Sequence, residues 1–167
     1  MFREPRSSFP DYFIHPSLEI KKSETHGVGV FATADIPPKT MIESAPVVIC
    51  HSSLMEALFS INDTRHVLQD YPFGWKDGCL AFAHGYGALY NHSVEKCKVV
   101  WRPNYELETM EFTTMKEISA GEEIFIKYLP ASHQDSLWFE SEENDVLLSD
   151  VKYEKERKSG ISNWKLF

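Results

Sequence analysis

A glycine-rich run at residues 84–93 ends in side chains that could bind a polar ligand; its sequence is His-Gly-Tyr-Gly-Ala-Leu-Tyr-Asn-His-Ser. Its two glycines allow the backbone to pass close to another segment or to a ligand. The apolar residues that follow place Asn91 and His92 at the end of a buried segment. This pair has three possible uses: a hydrogen-bonded core pair, an N-glycosylation acceptor completed by Ser93, or a site where side chains and backbone hold a polar ligand.

Two further motifs flank this run. Upstream, residues 26–31 read His-Gly-Val-Gly-Val-Phe, and downstream, residues 121–128 read Gly-Glu-Glu-Ile-Phe-Ile-Lys-Tyr. In this order and at these separations, the three motifs resemble those of SET-domain protein-lysine methyltransferases, and the resemblance covers roughly residues 18–139. It favours the ligand-binding interpretation of the Asn-His pair.

The resemblance implies methyl transfer from S-adenosylmethionine to a lysine side-chain amine, with S-adenosylhomocysteine as the product. Such an in-line displacement requires the sulfonium and the amine to face each other across a narrow passage. The protein must therefore supply a turn that accepts the cofactor, a hydroxyl near the transferring methyl and aromatic walls that tolerate a methylated ammonium.

The cofactor-binding residues implied by the resemblance come from three places in the chain. The glycines of the first motif would bring backbone groups against the methionine part of the cofactor. Asn91 and the backbone around His92 would hold its amino-acid and adenine portions, and a late aromatic would cover the adenine. The implied set is His26, Gly27, Val28, Gly29, Asn91, His92 and Trp138.

Tyr128 matches the catalytic tyrosine of the family, whose hydroxyl points to the methyl group and the lysine nitrogen. An unperturbed tyrosine has a pKa of about 10, so we assign it orientation and electrostatic stabilisation, with general base catalysis left open. The implied lysine channel consists of Tyr71, Phe73, Tyr86, Tyr128 and Phe139, and Trp75 and Tyr90 are looser candidates for channel or core.

Three positions depart from the family pattern. Leu129 stands where a glycine usually follows the catalytic tyrosine, so the turn that leaves the site must differ. Cys97 resembles a zinc-binding cysteine of some members, but no later cysteine could complete that site, and we predict no metal. Ile126 occupies a position linked to the number of methyl groups added and leaves that number open.

The net charge of −8 over 167 residues argues against general nucleic-acid binding and suits a basic partner, such as a lysine-rich protein tail.

Three widely spaced cysteines are typical of reduced thiols, and no apolar run reaches membrane-spanning length. We therefore expect an intracellular, cytoplasmic protein, or a nuclear one if it is eukaryotic or acts on host chromatin. The sequence does not distinguish a monomer from a homodimer.

The elements that must position these residues are mainly β. The resemblance implies a SET-like fold of several short curved sheets, a small helical insert and a knot-like threading of the chain end. We expect an N-terminal arm at 1–17, the SET domain at 18–139 with the insert at 51–70, and a charged tail or helix at 140–167.

Individual elements follow from local patterns. Leu18–Lys22 alternates as a half-buried strand, and a capping-box pattern beginning at Ser53 predicts a short helix ending around Asn62. Two strand-like runs, 99–101 and 107–112, predict a hairpin whose turn is formed by residues 102–105.

Two other functional classes compete with the enzyme. A catalytically inactive SET-like module could bind an extended peptide by strand addition. A structural or capsid-associated β protein would require the order of the motifs to be coincidence. Tyr128, Asn91 and His92 together favour the enzyme, because a protein without catalysis has no need of all three.

Overall fold

The computed structural model describes residues 12–61 and 71–128. Within these ranges the chain forms ten strands, one α-helix and one short 3₁₀ turn at Tyr86–Ala88. The strands are β1 Phe13–Ile14, β2 Leu18–Lys22, β3 Val28–Ala32, β4 Met41–His51, β5 Phe73–Gly74, β6 Cys79–Ala83, β7 Asn91–His92, β8 Val99–Asn104, β9 Thr109–Thr114 and β10 Phe125–Ile126. The helix α1 is Ser52–Ile61. The predicted mainly β architecture with a helical insert is confirmed.

The described residues group into two compact units. The first contains residues 12–48 and 82–127, and the second contains 49–61, 71–81 and Tyr128.

Three small sheets make up the first unit. The largest has the order β4-β9-β8, with β1 also antiparallel to β4, of which residues 41–48 belong to this unit. Strands β2 and β3 form an antiparallel pair, and β7 pairs with β10 in parallel. A parallel pair joins segments that are distant in sequence. This pairing therefore brings the Asn-His motif beside the chain that leads to Tyr128.

Buried strand residues form the core of the first unit. They alternate with less buried ones from Met110 to Thr114 in β9, whereas β4 is buried continuously from Ile42 to Ala45. In β9, Met110 and Phe112 are fully buried, and Ile42 and Ala45 of the neighbouring β4 are equally inaccessible. The alternation in β9 is expected where a sheet buries one face. Burial of these side chains is the main force that holds the three sheets together.

The segment 121–124 lies alongside β3 and forms backbone hydrogen bonds with it. The amide of Ala32 donates to the Glu122 carbonyl at 3.0 Å, and the amide of Ile124 donates to the Val30 carbonyl at 2.8 Å. The segment therefore presents Glu123 beside β3, opposite Phe31.

Two local predictions for the first unit differ from the structure, and one cannot be compared with it. The β8–β9 hairpin turns at residues 105–108 rather than 102–105, because Pro103 is accommodated in β8, an edge strand that tolerates a missing amide donor. Part of the predicted arm, Phe13 and Ile14, forms β1. The chain end, to which the predicted threading and tail belong, lies outside the described residues.

The second unit contains α1 and the short antiparallel pair of β5 with β6. The helix begins at Ser52, one residue before the predicted cap. The ring of His51 accepts the Ser53 amide at 3.2 Å and contacts the Ser53 hydroxyl at 2.9 Å. The His51 ring thus takes the place of the predicted capping box, since Ser53 lies within the helix. The predicted helix end at Asn62 lies outside the described residues.

Candidate functional site

Asn91 is the hydrogen-bonding centre of the first unit's candidate site. Its side-chain nitrogen donates to the carbonyls of His26 and Val28, each at 3.1 Å, and to the Glu123 carboxylate at 2.7 Å. The side chain is only 7% exposed, so these bonds are shielded from water. A buried amide with satisfied donors fixes whatever it joins. Here it fixes the His26 to Val28 turn against β7.

Ser23 closes the network on the other side of the turn. Its hydroxyl donates to the second Glu123 oxygen at 3.0 Å and accepts the amides of Thr25 and His26 at 2.9 and 3.3 Å. The Ser23 amide donates to the Gly27 carbonyl at 3.0 Å. The turn between β2 and β3 is therefore held from both ends by one carboxylate.

Gly29 leaves room for this network because it has no Cβ atom. A Cβ atom at this position would collide with the Glu123 carboxylate and lie 3.1 Å from the Asn91 nitrogen. Gly27, at the tip of the turn, has φ +52° and open space around the position of a side chain. A ligand can therefore approach the turn's backbone at Gly27, while Gly29 serves internal packing.

The chain that leads to Tyr128 is fixed by two features of the first unit. Phe125 and Ile126 pair with Asn91 and His92, and the Ser93 amide donates to the Ile126 carbonyl at 3.2 Å. The indole nitrogen of Trp101 donates to the Lys127 carbonyl at 2.8 Å. The peptide immediately before Tyr128 is thereby anchored, and Tyr128 itself is half-buried.

Of the predicted cofactor-binding residues, the structure brings together His26, Gly27, Val28, Gly29 and Asn91. His92, 6% exposed, follows Asn91 in β7 and pairs with Ile126. Trp138 lies outside the described residues. Because the Asn91 side-chain nitrogen is engaged within the protein, its contribution to a ligand would come from its remaining groups and from the turn that it positions.

The predicted channel residues are less closely grouped. Tyr86 belongs to the first unit, where it is half-buried in the 3₁₀ turn. Tyr71, Phe73 and Tyr128 belong to the second unit; Phe73 is buried in β5, whereas Tyr71 is 46% exposed. Phe139 lies outside the described residues. The looser candidates Trp75 and Tyr90 are both buried core residues.

An open groove of about 580 Å³ borders the turn and β10. Its wall contains four lysines and four glutamates, and one pair of these, Lys98 and Glu122, forms an ion pair at 2.7 Å. Such a balanced lining lacks the single-sign potential that attracts nucleic acid. The lining residues are Lys22, Glu24, Thr25, Phe31, Glu95, Lys96, Cys97, Lys98, Lys116, Gly121, Glu122, Glu123 and Phe125.

Sequence reasoning missed Ser23, Glu123 and Trp101. Glu123 lies inside the quoted downstream motif, but its side chain would have been assigned to solvent like any strand glutamate. Ser23 lies in a Ser-Glu-Thr-His turn, and serine at the start of a turn is a signal for local side-chain to backbone bonds.

In the part of the chain that the structure describes, no cluster of histidine, cysteine or acidic residues is arranged to bind a metal. The helix in those ranges is not long and apolar enough to cross a membrane.

The chain shows clear similarity to known proteins. A family model described as the SET domain matches residues 27–129. A histone-lysine N-methyltransferase of Schizosaccharomyces pombe, specific for H3 lysine-37, is 33% identical over 129 residues, which cover 77% of this chain and 81% of that protein.

Solved structures share the fold. The crystal structure of a candidate histone methyltransferase from Plasmodium falciparum has a TM-score of 0.54 and 26% identity, covering 71% of this chain and 97% of that one. A chain of an active polycomb repressive complex 2 in the stimulated state has a TM-score of 0.58 and 20% identity, over 70% of this chain and 15% of that one. The latter similarity concerns the fold alone.

Proposed function

Because this chain belongs to the SET-domain family, we propose that it transfers methyl groups from S-adenosylmethionine to a lysine side chain of a protein substrate. The observation that carries the proposal is the bond set of Asn91. It ties the glycine turn at 26–29 to β7, and β7 in turn pairs with the strand that leads to Tyr128.

The residues present fit the cofactor. The tip of the turn at Gly27 is open, and the network of Asn91, Glu123 and Ser23 holds that turn in one conformation before any ligand arrives. Preorganisation of this kind reduces the entropic cost of binding. When bound, the cofactor supplies an electrophilic methyl group. His26, Gly27, Val28, Gly29, Asn91, His92 and Trp138 are the residues that we propose hold it.

Tyr128 is the proposed catalytic residue. Its hydroxyl would orient the lysine amine and stabilise charge near the transferring methyl. Because the fold already holds such a group in place, the protein would not have to reorganise during the reaction. Tyr71, Phe73, Tyr86 and Phe139 are proposed to line the lysine channel with it. Aromatic faces favour an ammonium that gains methyl groups, because such a cation is attracted by the ring quadrupole.

The substrate is proposed to be a basic protein, with a histone tail as the first candidate. The net charge of −8 would draw such a tail electrostatically, and the similar Schizosaccharomyces pombe protein is described as specific for a histone H3 lysine. A histone substrate would place the protein in the nucleus or on host chromatin.

The experiment is a labelled-methyl transfer assay with wild type and Tyr128→Phe on full-length histone H3 and on a histone H3 whose lysines are blocked by acetylation. We expect label on unblocked H3 with wild type only. Binding of S-adenosylhomocysteine without transfer to any lysine-rich protein would support the inactive peptide-binding module instead.

A further inference from the structure

Glu43 is a fully buried carboxylic acid outside the site described above. It lies in β4, directly opposite Ile14 of β1 and Phe112 of β9, and its exposed fraction is 0%. Burial of a carboxyl group is costly unless hydrogen bonds compensate for the lost water. Its position in the core therefore calls for partners.

Those partners come from the glycine-rich run. The amide of Tyr86 donates to Glu43 Oε1 at 2.7 Å. The Gly87 amide and the Tyr90 hydroxyl lie close enough to this carboxyl to favour its ionised form. At Gly85, whose φ is +133°, a Cβ atom would collide with Oε1. One backbone donor and two further polar groups of the same short segment thus face one carboxyl group.

A second contact set fixes the far end of the same segment. The Tyr90 ring, 1% exposed, packs on Phe112 with centroids 4.9 Å apart. A Cβ atom at Gly87 would lie 2.9 Å from the Ala83 Cβ atom and 3.0 Å from the Phe112 ring, so the neighbouring side chains would have to shift. Close contacts with Glu43 at Gly85, and with Ala83 and Phe112 at Gly87, therefore account for both glycines of the run. Tyr90 immediately precedes Asn91 in the chain.

We propose that Glu43 is a positioning residue for the SET site, which holds residues 85–90 on β4 and thereby sets where Asn91 enters β7. The inference rests on the proposed function in one respect, namely that Asn91 belongs to the cofactor site. The immediate structural consequence, coupling of Glu43 to Asn91, does not depend on any ligand.

Ionisation of Glu43 provides a readout that a purely structural residue would not have. Burial raises the pKa of Glu43 to about 7, although the Tyr90 hydroxyl and the amides of Tyr86 and Gly87 oppose the rise. The titratable groups that interact with it are Tyr12, Tyr86 and Tyr90, and its pairing partners in β1 and β9 are the apolar residues Ile14 and Phe112. Burial and the nearby carboxyl raise the pKa values of Tyr12 and Tyr90, so both remain protonated donors near neutral pH.

The test is an NMR pH titration of full-length wild type, Glu43→Gln and the control Glu111→Gln. Glu111 neighbours Phe112 in β9 and accepts a bond from Asn104 at 2.8 Å, away from the 85–90 segment. We expect the amide signals of Tyr86, Gly87 and Asn91 to shift with one midpoint near 7 in wild type and the control. In Glu43→Gln these shifts should be absent. The proposal would be overturned if the Asn91 amide signal did not shift with this midpoint, or if it shifted equally in Glu43→Gln.

Calorimetry with S-adenosylhomocysteine tests the consequence for the site. We expect Glu43→Ala to weaken binding by about tenfold or more, while Glu43→Gln, which keeps an acceptor for the Tyr86 amide, stays within about threefold of wild type. Equal binding by wild type and Glu43→Ala would contradict the positioning role. If Glu43→Ala does not fold, the titration of Glu43→Gln decides. If wild type titrates as expected but does not bind the product, the proposed function fails and the positioning role stands.

Discussion

The side-chain nitrogen of Asn91 lies 2.7 Å from the carboxylate of Glu123, and this contact joins two motifs that are separated by 32 residues. The same nitrogen reaches the carbonyls of His26 and Val28. Asn91 has two N–H donors, so three acceptors share them. All three motifs of the family therefore meet at one buried amide.

Replacement of Asn91 should destabilise the protein as well as the site. Asn91→Ala removes the amide donors that reach the Glu123 carboxylate and the carbonyls of His26 and Val28. We expect a loss of about 1 to 3 kcal/mol in the free energy of unfolding, measured by urea denaturation. Asn91→Asp should lose more at neutral pH, because it sets a second carboxylate against Glu123. Equal stability of Asn91→Asp and wild type would show that the amide donors are not needed.

Gly29→Ala should disrupt the turn from inside. The added methyl would displace the Glu123 carboxylate and press on the Asn91 nitrogen. We expect affinity for S-adenosylhomocysteine to fall by about tenfold or more in calorimetry. Thr33→Ala, an exposed change just beyond the same strand, should bind as wild type does. Unchanged binding by Gly29→Ala would mean that the network does not shape the cofactor turn.

Tyr128→Phe separates binding from chemistry. The ring is kept, so affinity for S-adenosylhomocysteine should stay within about threefold of wild type, while kcat should fall by about 10²-fold or more because the hydroxyl is lost. Single-turnover transfer of labelled methyl groups measures this effect. A kcat close to the wild-type value would remove Tyr128 from the catalytic role.

Trp101→Phe tests the anchor of the chain before Tyr128. Loss of the indole donor to the Lys127 carbonyl frees that peptide, and we expect kcat to fall several-fold with little change in product affinity. Arg102→Gln, an exposed change at the next position, is the control. A loss of product affinity equal to the loss of kcat would indicate general unfolding instead.

Glu43 should make stability depend on pH. Its pKa is raised from 4.5 to about 7, so the folded state binds the proton more tightly than the unfolded chain does. This contribution is fully present below about pH 4.5 and is lost as pH rises through about 7, and its full size is roughly 3 kcal/mol. Urea denaturation between these pH values should show that decline in wild type and not in Glu43→Gln. A decline of the same size in both proteins would assign it to other groups.

The sequence predicted those features that depend on local pattern. The alternation of apolar and polar residues at Leu18–Lys22 correctly predicted the strand β2, and the order of the three motifs correctly predicted the family. The predicted β8–β9 turn was misplaced, because proline usually interrupts a strand. Pro103 is tolerated in β8 since that strand lies at the edge of its sheet, which the sequence does not show. The burial of Glu43 and the bond from Asn91 to Glu123 could not be predicted, since both depend on pairing between segments far apart in the chain. The fold thus follows from local signals more readily than the polar contacts that shape its site.

The most direct measurement is a calorimetric titration of the purified wild-type chain with S-adenosylhomocysteine, which requires no knowledge of the substrate. If the turn at 26–29, held by Asn91, is the cofactor site, we expect micromolar binding, about −8 kcal/mol, that Gly29→Ala weakens and Tyr128→Phe preserves. No binding by folded wild type, or binding that Gly29→Ala leaves unchanged, would contradict this assignment.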